Sequence, residues 1–184
     1  MRFFAAWAVL LCFDVNGFAQ SGMREIANQA AADGRRGDYT AAANKYRELL
    51  QKGADSAELR SNLGMMLYLC GDTPHALKEL HVALSRNPKL VAANLFTGRA
   101  LLRSDRPRKA LGFLHKAEEE QPSASAPLLA LGRTYIALHD LSQALNVYRK
   151  ATSIDPGNAE AWYGRGVLSR EMAGRILKQV VHSS

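Results

Sequence analysis

The chain has 184 residues, of which 47% are hydrophobic and 22% charged, a composition typical of one globular domain. Collagen-like and low-complexity chains are excluded. The formal net charge of +7 favours an acidic partner or an anionic surface.

The N-terminus has the residue order of a secretory signal peptide. Met1-Arg2 is basic, residues 3–13 are uncharged and apolar, and Gly17-Phe18-Ala19 places small residues at alternate positions. We predict a signal peptide over 1–19 with cleavage near Ala19, and hence an exported protein, periplasmic or secreted. The apolar run is too short to cross about 30 Å of hydrocarbon as a helix. An uncleaved interfacial anchor or a buried first helix is the alternative.

Removal of this segment leaves Cys70 as the only thiol. It stands late in a predicted helix beside Leu67 and Leu69, which favours burial. The sequence has no disulfide framework, so apolar contacts must hold the helices together.

The remainder of the chain repeats itself at an interval of 34 residues. Three residue types recur in this register: Gly64, Gly98, Gly132 and Gly166; Ala42, Ala76, Ala110 and Ala144; Pro88, Pro122 and Pro156. This period and this chemistry resemble the tetratricopeptide repeat, over about residues 23 to 174.

The resemblance implies an all-α fold, a right-handed superhelix (α-solenoid) of antiparallel helix pairs with about four repeats and a C-terminal capping helix. The expected repeat domain covers 20–174, with repeats at about 23–56, 57–90, 91–124, 125–158 and a partial fifth at 159–174. The tail, 175–184, is either a short amphipathic helix or the start of a longer array. In the first repeat, Gln29 and Asp33 replace apolar residues, and we expect them to face solvent.

Each repeated position has a physical reason. Glycine and alanine remove side chains where the two helices of a repeat cross. The fifteenth position of each repeat, between the helices, requires a left-handed backbone and holds Gly37, Gly71, Asp105 and His139. Pro74 and Pro107 fit the first turn of a second helix, and the later prolines end it.

In this family the first helices line the concave face, so their residues outside the packing stripe predict a partner-binding groove. These residues combine apolar side chains with arginines, and Arg99 and Arg133 recur at the same repeat position. We predict binding of acidic and apolar segments; alternatively, several leucines pack repeat against repeat. The candidates are Met65, Tyr68, Leu69, Leu95, Arg99, Leu102, Arg103, Leu129, Arg133, Ile136, Tyr163, Val167 and Arg170.

Some members of the family hold a C-terminal carboxylate with a lysine and an asparagine on the first helices. The corresponding positions here hold Ser61 and Met65 in the second repeat, and Ala27 and Ala31 in the first. That clamp is absent, which disfavours a role in binding chaperone tails.

The sequence predicts no enzyme activity, no cofactor and no metal. The histidines lack metal-ligand spacing, although His81 and His115 share a repeat position. There is no P-loop and no nucleophile-elbow motif. The basic stretch 103–109 and the acidic run 118–120 fit solvated surface better than a phosphate site or an acid–base pair.

We therefore predict a non-enzymatic scaffold for protein or peptide partners, with no small-molecule substrate. Other readings remain: a module for anionic surfaces or, less favoured, nucleic acid; the interaction fragment of a larger enzyme or envelope assembly; and self-association through the repeat ends.

Overall fold

A computed structural model describes the backbone of residues 4–183 and the side chains of residues 20–179 and 181. The predicted signal peptide, residues 1–19, lies outside the described side chains, and its removal remains a prediction. Among the described residues, no helix is both long enough and apolar enough to cross a membrane.

The described residues form nine helices and no strands, which confirms the all-α prediction. The helices are α1 (Phe4–Arg36), α2 (Tyr39–Gln51), α3 (Ala57–Leu69), α4 (Thr73–Arg86), α5 (Val91–Arg103), α6 (Pro107–Glu120), α7 (Ser125–Ala137), α8 (Leu141–Ile154) and α9 (Ala159–Ser183).

Consecutive helices pack against each other along the whole chain, which makes the molecule an α-solenoid. The first helices of successive repeats, α3, α5, α7 and α9, also contact one another in order. Within the described chain, no comparable contact joins α4 to α6 or α6 to α8. The first helices therefore lie on the inner side of the curve, and the second helices on the outer side.

The helix ends follow from local chemistry. Five N-cap side chains, those of Asp38, Ser56, Asp72, Asp140 and Asn158, accept a hydrogen bond from a backbone N–H of the first turn. The turns inside the repeats have the predicted left-handed backbone, with φ of 84° at Gly37, 97° at Gly71, 56° at Asp105 and 59° at His139. Pro74 and Pro107 lie in the first turn of α4 and α6, as predicted.

The recurring glycines allow the helices of a pair to cross closely. A Cβ added at Gly64 would lie 2.6 Å from Leu80, and one at Gly98 would lie 2.4 Å from Leu114. At Gly166 in α9, an added Cβ would meet nothing within 4 Å. The four recurring alanines are completely buried. Close packing thus explains both columns in the complete repeats, while Gly166 has no crossing helix against it.

Two predictions about single side chains are wrong. Asp33 is 5% exposed rather than solvent-facing, because its carboxylate pairs with Lys45 of α2 and with Arg36. The Lys45 hydrogen bond is the main reason that the pKa of Asp33 is lowered. Cys70 is exposed rather than buried, because α3 ends at Leu69 and the thiol, at the C-cap, donates to the Leu67 carbonyl over 3.3 Å.

The C-terminal part of the chain forms one continuous helix. α9 runs from Ala159 to Ser183 and passes through Gly174 without a turn. Ile176 and Leu177 are 59% and 66% exposed on it. The capping helix and the tail expected from the sequence are therefore parts of a single element.

Candidate binding groove

The binding groove is defined here as the inner surface formed by α3, α5, α7 and α9. Most of the predicted residues present some surface there. Tyr163 is 75% and Ile136 40% exposed. The arginines Arg103, Arg133 and Arg170 are exposed, and a further set is partly buried: Met65, Tyr68, Leu69, Arg99, Leu102 and Val167.

The structure corrects the prediction for two leucines. Leu95 and Leu129 are only 9% and 8% exposed and belong to the hydrophobic core. Both belong to one core cluster that includes residues of several successive repeats, so their area is used in packing. A partner in the groove has little of either side chain to contact.

Between α3 and α5 the groove surface consists of stacked aromatic and cationic groups. The Arg103 guanidinium lies 3.7 Å from the centre of the Tyr68 ring, and its Nη1 donates to the Tyr68 carbonyl over 2.6 Å. Tyr68 packs edge-on against Phe96, with ring centres 5.5 Å apart. Arg103 is therefore committed to contacts within the chain.

Between α7 and α9 the groove contains a bidentate ion pair. Arg133 Nε donates to Glu160 Oε1 over 2.7 Å, and its Nη2 lies 2.6 Å from Oε2. This forked geometry is the strongest arrangement for an arginine and a carboxylate.

Arg99 occupies the same repeat position one helix earlier, and its surroundings differ. Its guanidinium lies 5.4 Å from the centre of the Phe96 ring, and its Nε is buried with no hydrogen-bond partner among the described residues. Burial is the main cause that lowers the pKa of Arg99, and the neighbouring Arg133 lowers it further. The two arginines that share this repeat position therefore differ: the Arg133 guanidinium is paired with a carboxylate, and the Arg99 guanidinium is not.

An apolar cleft lies beside the ion pair. Its volume is about 390 Å³, and its lining includes Ile136 of α7, Tyr163 and Val167 of α9, and Tyr148 of α8. The Arg133–Glu160 pair forms the polar side of the cleft. A partner side chain of moderate size fits a cavity of this volume.

The Tyr148 ring fits against α7 and α9 because two glycines leave space for it. A Cβ at Gly132 would lie 2.6 Å from the Tyr148 ring, and one at Gly164 would lie 2.7 Å from it. The ring replaces the smaller Leu80 and Leu114 of the preceding repeats. Burial, followed by the Glu160 carboxylate, raises the pKa of Tyr148.

Sequence reasoning missed Glu160, Tyr148 and Gly164. The signal for the last two was available: a tyrosine at a leucine position needs more room, and Gly164 departs from the glycine period. Glu160 gave no comparable signal, because its contact with Arg133 spans 27 residues and depends on how successive repeats stack.

The histidines that share a repeat position have separate partners. His81 packs against Phe113 with ring centres 6.2 Å apart, whereas His115 Nε2 lies 3.0 Å from the Tyr135 hydroxyl. Over the part of the chain that was described and searched, no three histidine, cysteine, aspartate or glutamate side chains come together as a metal site would require.

Models of known families match most of the solenoid. The model described as "Psidin, N-terminal TPR repeats region" matches residues 70–164, and the model described as "Tetratricopeptide repeat" matches residues 28–89. The phagocyte signaling-impaired protein of Drosophila pseudoobscura pseudoobscura is 30% identical over 90 residues. Those residues make up 49% of this chain and 9% of that protein, so the chain spans a small part of that relative.

Solved structures share the fold at low sequence identity. MamA of Desulfovibrio magneticus RS-1 matches with a TM-score of 0.71 and 20% identity, over 87% of this chain and 93% of its own. YrrB, described as a TPR protein with an unusual peptide-binding site, matches with a TM-score of 0.68 and 21% identity, over 80% and 76%. The first TPR of Spaghetti (RPAP3), bound to the HSP90 peptide SRMEEVD, matches with 0.62 and 19%, over 64% and 94%.

Proposed function

The chain belongs to the tetratricopeptide-repeat family, and we propose that it is a non-enzymatic scaffold whose groove binds segments of other proteins that combine acidic and apolar residues. Repeat solenoids use their extended concave surfaces for binding. Among the similar structures, YrrB is described as having a peptide-binding site, and the first TPR of Spaghetti is bound to a peptide. These likenesses support a protein or peptide partner, and the chemistry of that partner is inferred from the groove itself.

The observation that carries the proposal is the apolar cleft beside arginines on the inner surface. Ile136 and Tyr163 expose 40% and 75% of their surface there, with Arg133 and Arg99 close by. Exposed apolar side chains next to cations match an acidic and apolar segment. The non-catalytic part of the proposal rests on the family and on a groove without a nucleophile or general-base arrangement in its described part.

We also propose that the protein is exported, as a periplasmic or secreted protein with its first residues removed near Ala19. The support is the order of basic, apolar and small residues at the N-terminus. N-terminal sequencing of the protein recovered from its host tests this directly. A chain that begins near Gln20 agrees with the proposal, and a chain that retains Phe3 to Phe13 contradicts it.

The function is tested by screening the full chain against an array of short peptides. We expect the bound peptides to be enriched in aspartate or glutamate close to leucine, isoleucine or phenylalanine. A groove variant, Ile136→Glu with Tyr163→Glu, should lose that binding, because both side chains are exposed in the cleft region and the added carboxylates repel an acidic segment.

The matched control places the same two added charges on the outer helix α8, as Gln143→Glu with Asn146→Glu, at exposed positions. Equal loss in both variants would indicate a general effect of charge, and unchanged binding in the groove variant would place binding outside the groove. Binding that falls steeply with salt and shows no peptide preference would favour an anionic surface instead.

A further inference from the structure

The repeat register places Arg99 and Arg133 in equivalent positions with unlike neighbours. Each arginine is the ninth residue of its repeat, and 27 residues later comes the second residue of the next repeat. That second residue is Glu160 for Arg133 and Ala126 for Arg99. The same geometry is therefore built twice, once with a carboxylate and once without.

The Arg133–Glu160 pair shows how a carboxylate fits this position. Both oxygens of Glu160 engage the guanidinium edge, at 2.7 Å and 2.6 Å. The carboxylate comes from the first turn of α9, so it approaches from the neighbouring first helix across the groove. An anion placed in the equivalent position between α5 and α7 would meet the terminal nitrogens of Arg99, because the Nε of Arg99 is covered by the protein itself.

Arg99 lacks a partner and is more buried than Arg133. Its Nε is buried and unpaired among the described residues, and Arg133 is the neighbouring charge that most disfavours its cationic form. Among the described residues, Glu160 is the one carboxylate near enough to offset that repulsion, and it is already held by Arg133 in a bidentate pair. A buried donor without an acceptor is unfavourable, and a charged donor is more so. The terminal nitrogens of Arg99 are therefore the donors that an external carboxylate can reach, and its charge would offset the unpaired cation.

We propose that an aspartate or glutamate of the bound segment pairs with Arg99, in the place that Glu160 occupies at Arg133. This inference rests on the proposed function and names the group that the groove recognises.

The apolar cleft between α7 and α9 indicates that the bound segment also carries an apolar side chain near its carboxylate. Neighbouring helix axes are about 8–10 Å apart, and an extended chain advances about 3.3 Å per residue. An apolar side chain about three residues from the acidic one therefore reaches the cleft formed by Ile136, Tyr163 and Val167. The recognised segment is an extended peptide with this spacing.

The test uses Ala126→Glu, which supplies a carboxylate from the protein itself at the position beside Arg99. The comparison is Ala126→Gln, whose side chain has the same length and no charge. The probes are two short acetylated peptides with a leucine three residues from either a glutamate or a glutamine. Fluorescence anisotropy measures their binding to the full chain. We expect the wild type to prefer the glutamate peptide about tenfold or more.

Ala126→Glu should reduce that preference to nearly nothing, because its own carboxylate occupies Arg99, and Ala126→Gln should keep it. Ala126→Glu should also melt at a higher temperature than Ala126→Gln, since the new pair satisfies Arg99. An unchanged preference in Ala126→Glu would overturn the inference. Equal binding of both peptides by the wild type would overturn it and leave standing only the binding of peptides by the groove. No binding of either peptide to any form would count against the function and the inference together.

Discussion

The two junctions between neighbouring first helices, α5–α7 and α7–α9, differ more than their shared repeat register suggests. Both place an arginine at the ninth position of a repeat. At α7–α9 the arginine pairs with Glu160, and a cleft opens over Tyr148. At α5–α7 the arginine has no carboxylate, and the second helix supplies the smaller Leu114.

This difference shows that packing and recognition obey separate constraints in a solenoid. The packing residues recur from one repeat to the next, because each pair of helices must fill the same volume. Groove side chains have no such constraint, so a carboxylate can be present in one repeat and absent from the next. Four substitutions test this separation of packing from groove surface, each beside a matched position that serves as the reference.

The largest expected effect is a difference in the free energy of unfolding between alanine substitutions at two glycines of the same repeat position. Gly98→Ala should destabilise the protein by about 1–3 kcal/mol, because the added methyl lies 2.4 Å from the fully buried Leu114. Gly166→Ala should stabilise it by up to about 1 kcal/mol, since that site is open and alanine favours a helix. Urea unfolding curves measure both, and equal effects would contradict the difference in packing.

The second prediction concerns two neighbouring aromatic residues of α9. Tyr163→Ala should weaken peptide binding about tenfold without lowering the melting temperature, because the ring is 75% exposed beside the cleft. Trp162→Ala should lower the melting temperature and leave peptide binding unchanged. Its Nε1 donates to the Pro156 carbonyl over 2.9 Å, and Arg165 lies over its ring. Reduced stability in Tyr163→Ala with unchanged binding would assign that ring to packing.

The third prediction concerns a substitution that removes the carboxylate partner of Arg133. Glu160→Gln should strengthen binding of the glutamate peptide by a few-fold, on the order of five, because Arg133 becomes available to it. Glu171→Gln is the control, since it removes an exposed carboxylate from the same helix and also frees an arginine, Arg175. Equal strengthening in both variants would indicate a general effect of charge rather than a groove contact.

The smallest expected effect lies outside both junctions, in the loop before α3. Asp55 accepts hydrogen bonds from Arg60 and Arg86, and these hold its pKa far below the usual value. A carboxyl with a lowered folded-state pKa stabilises the fold above its unfolded pKa and loses that contribution as pH falls. The loss begins near pH 4, about the unfolded value, and continues into strong acid. Asp55→Asn should therefore flatten the acid side of the stability profile, measured by thermal melts, whereas Glu119→Gln should not.

The fold was predictable because its determinants repeat. Each repeated position reports a local requirement, such as a left-handed φ at Asp105 and His139 or a close crossing at Gly98. One sequence contains several copies of each requirement, and the copies reinforce one another. The structure differs mainly where the register fails, as in α9, which continues through the end of the repeat pattern.

The helices of the inner surface were predictable, whereas the burial and pairing of their side chains were less so. The register identified the inner helices but did not separate side chains that join repeats, such as Leu95 and Leu129, from those that face a partner. Arg103 was expected to meet a partner and is stacked on Tyr68. Burial and pairing depend on the distance between successive repeats, which no single repeat encodes.

The claim that the inner surface is the binding site is tested most directly by amide and arginine Nε–Hε chemical shifts, recorded while the glutamate peptide is added to the full chain. The largest changes should fall on Arg99 and on the cleft residues of α7 and α9, with the outer helices α4 and α6 little affected. Changes centred on the outer helices, with Arg99 unmoved, would contradict it.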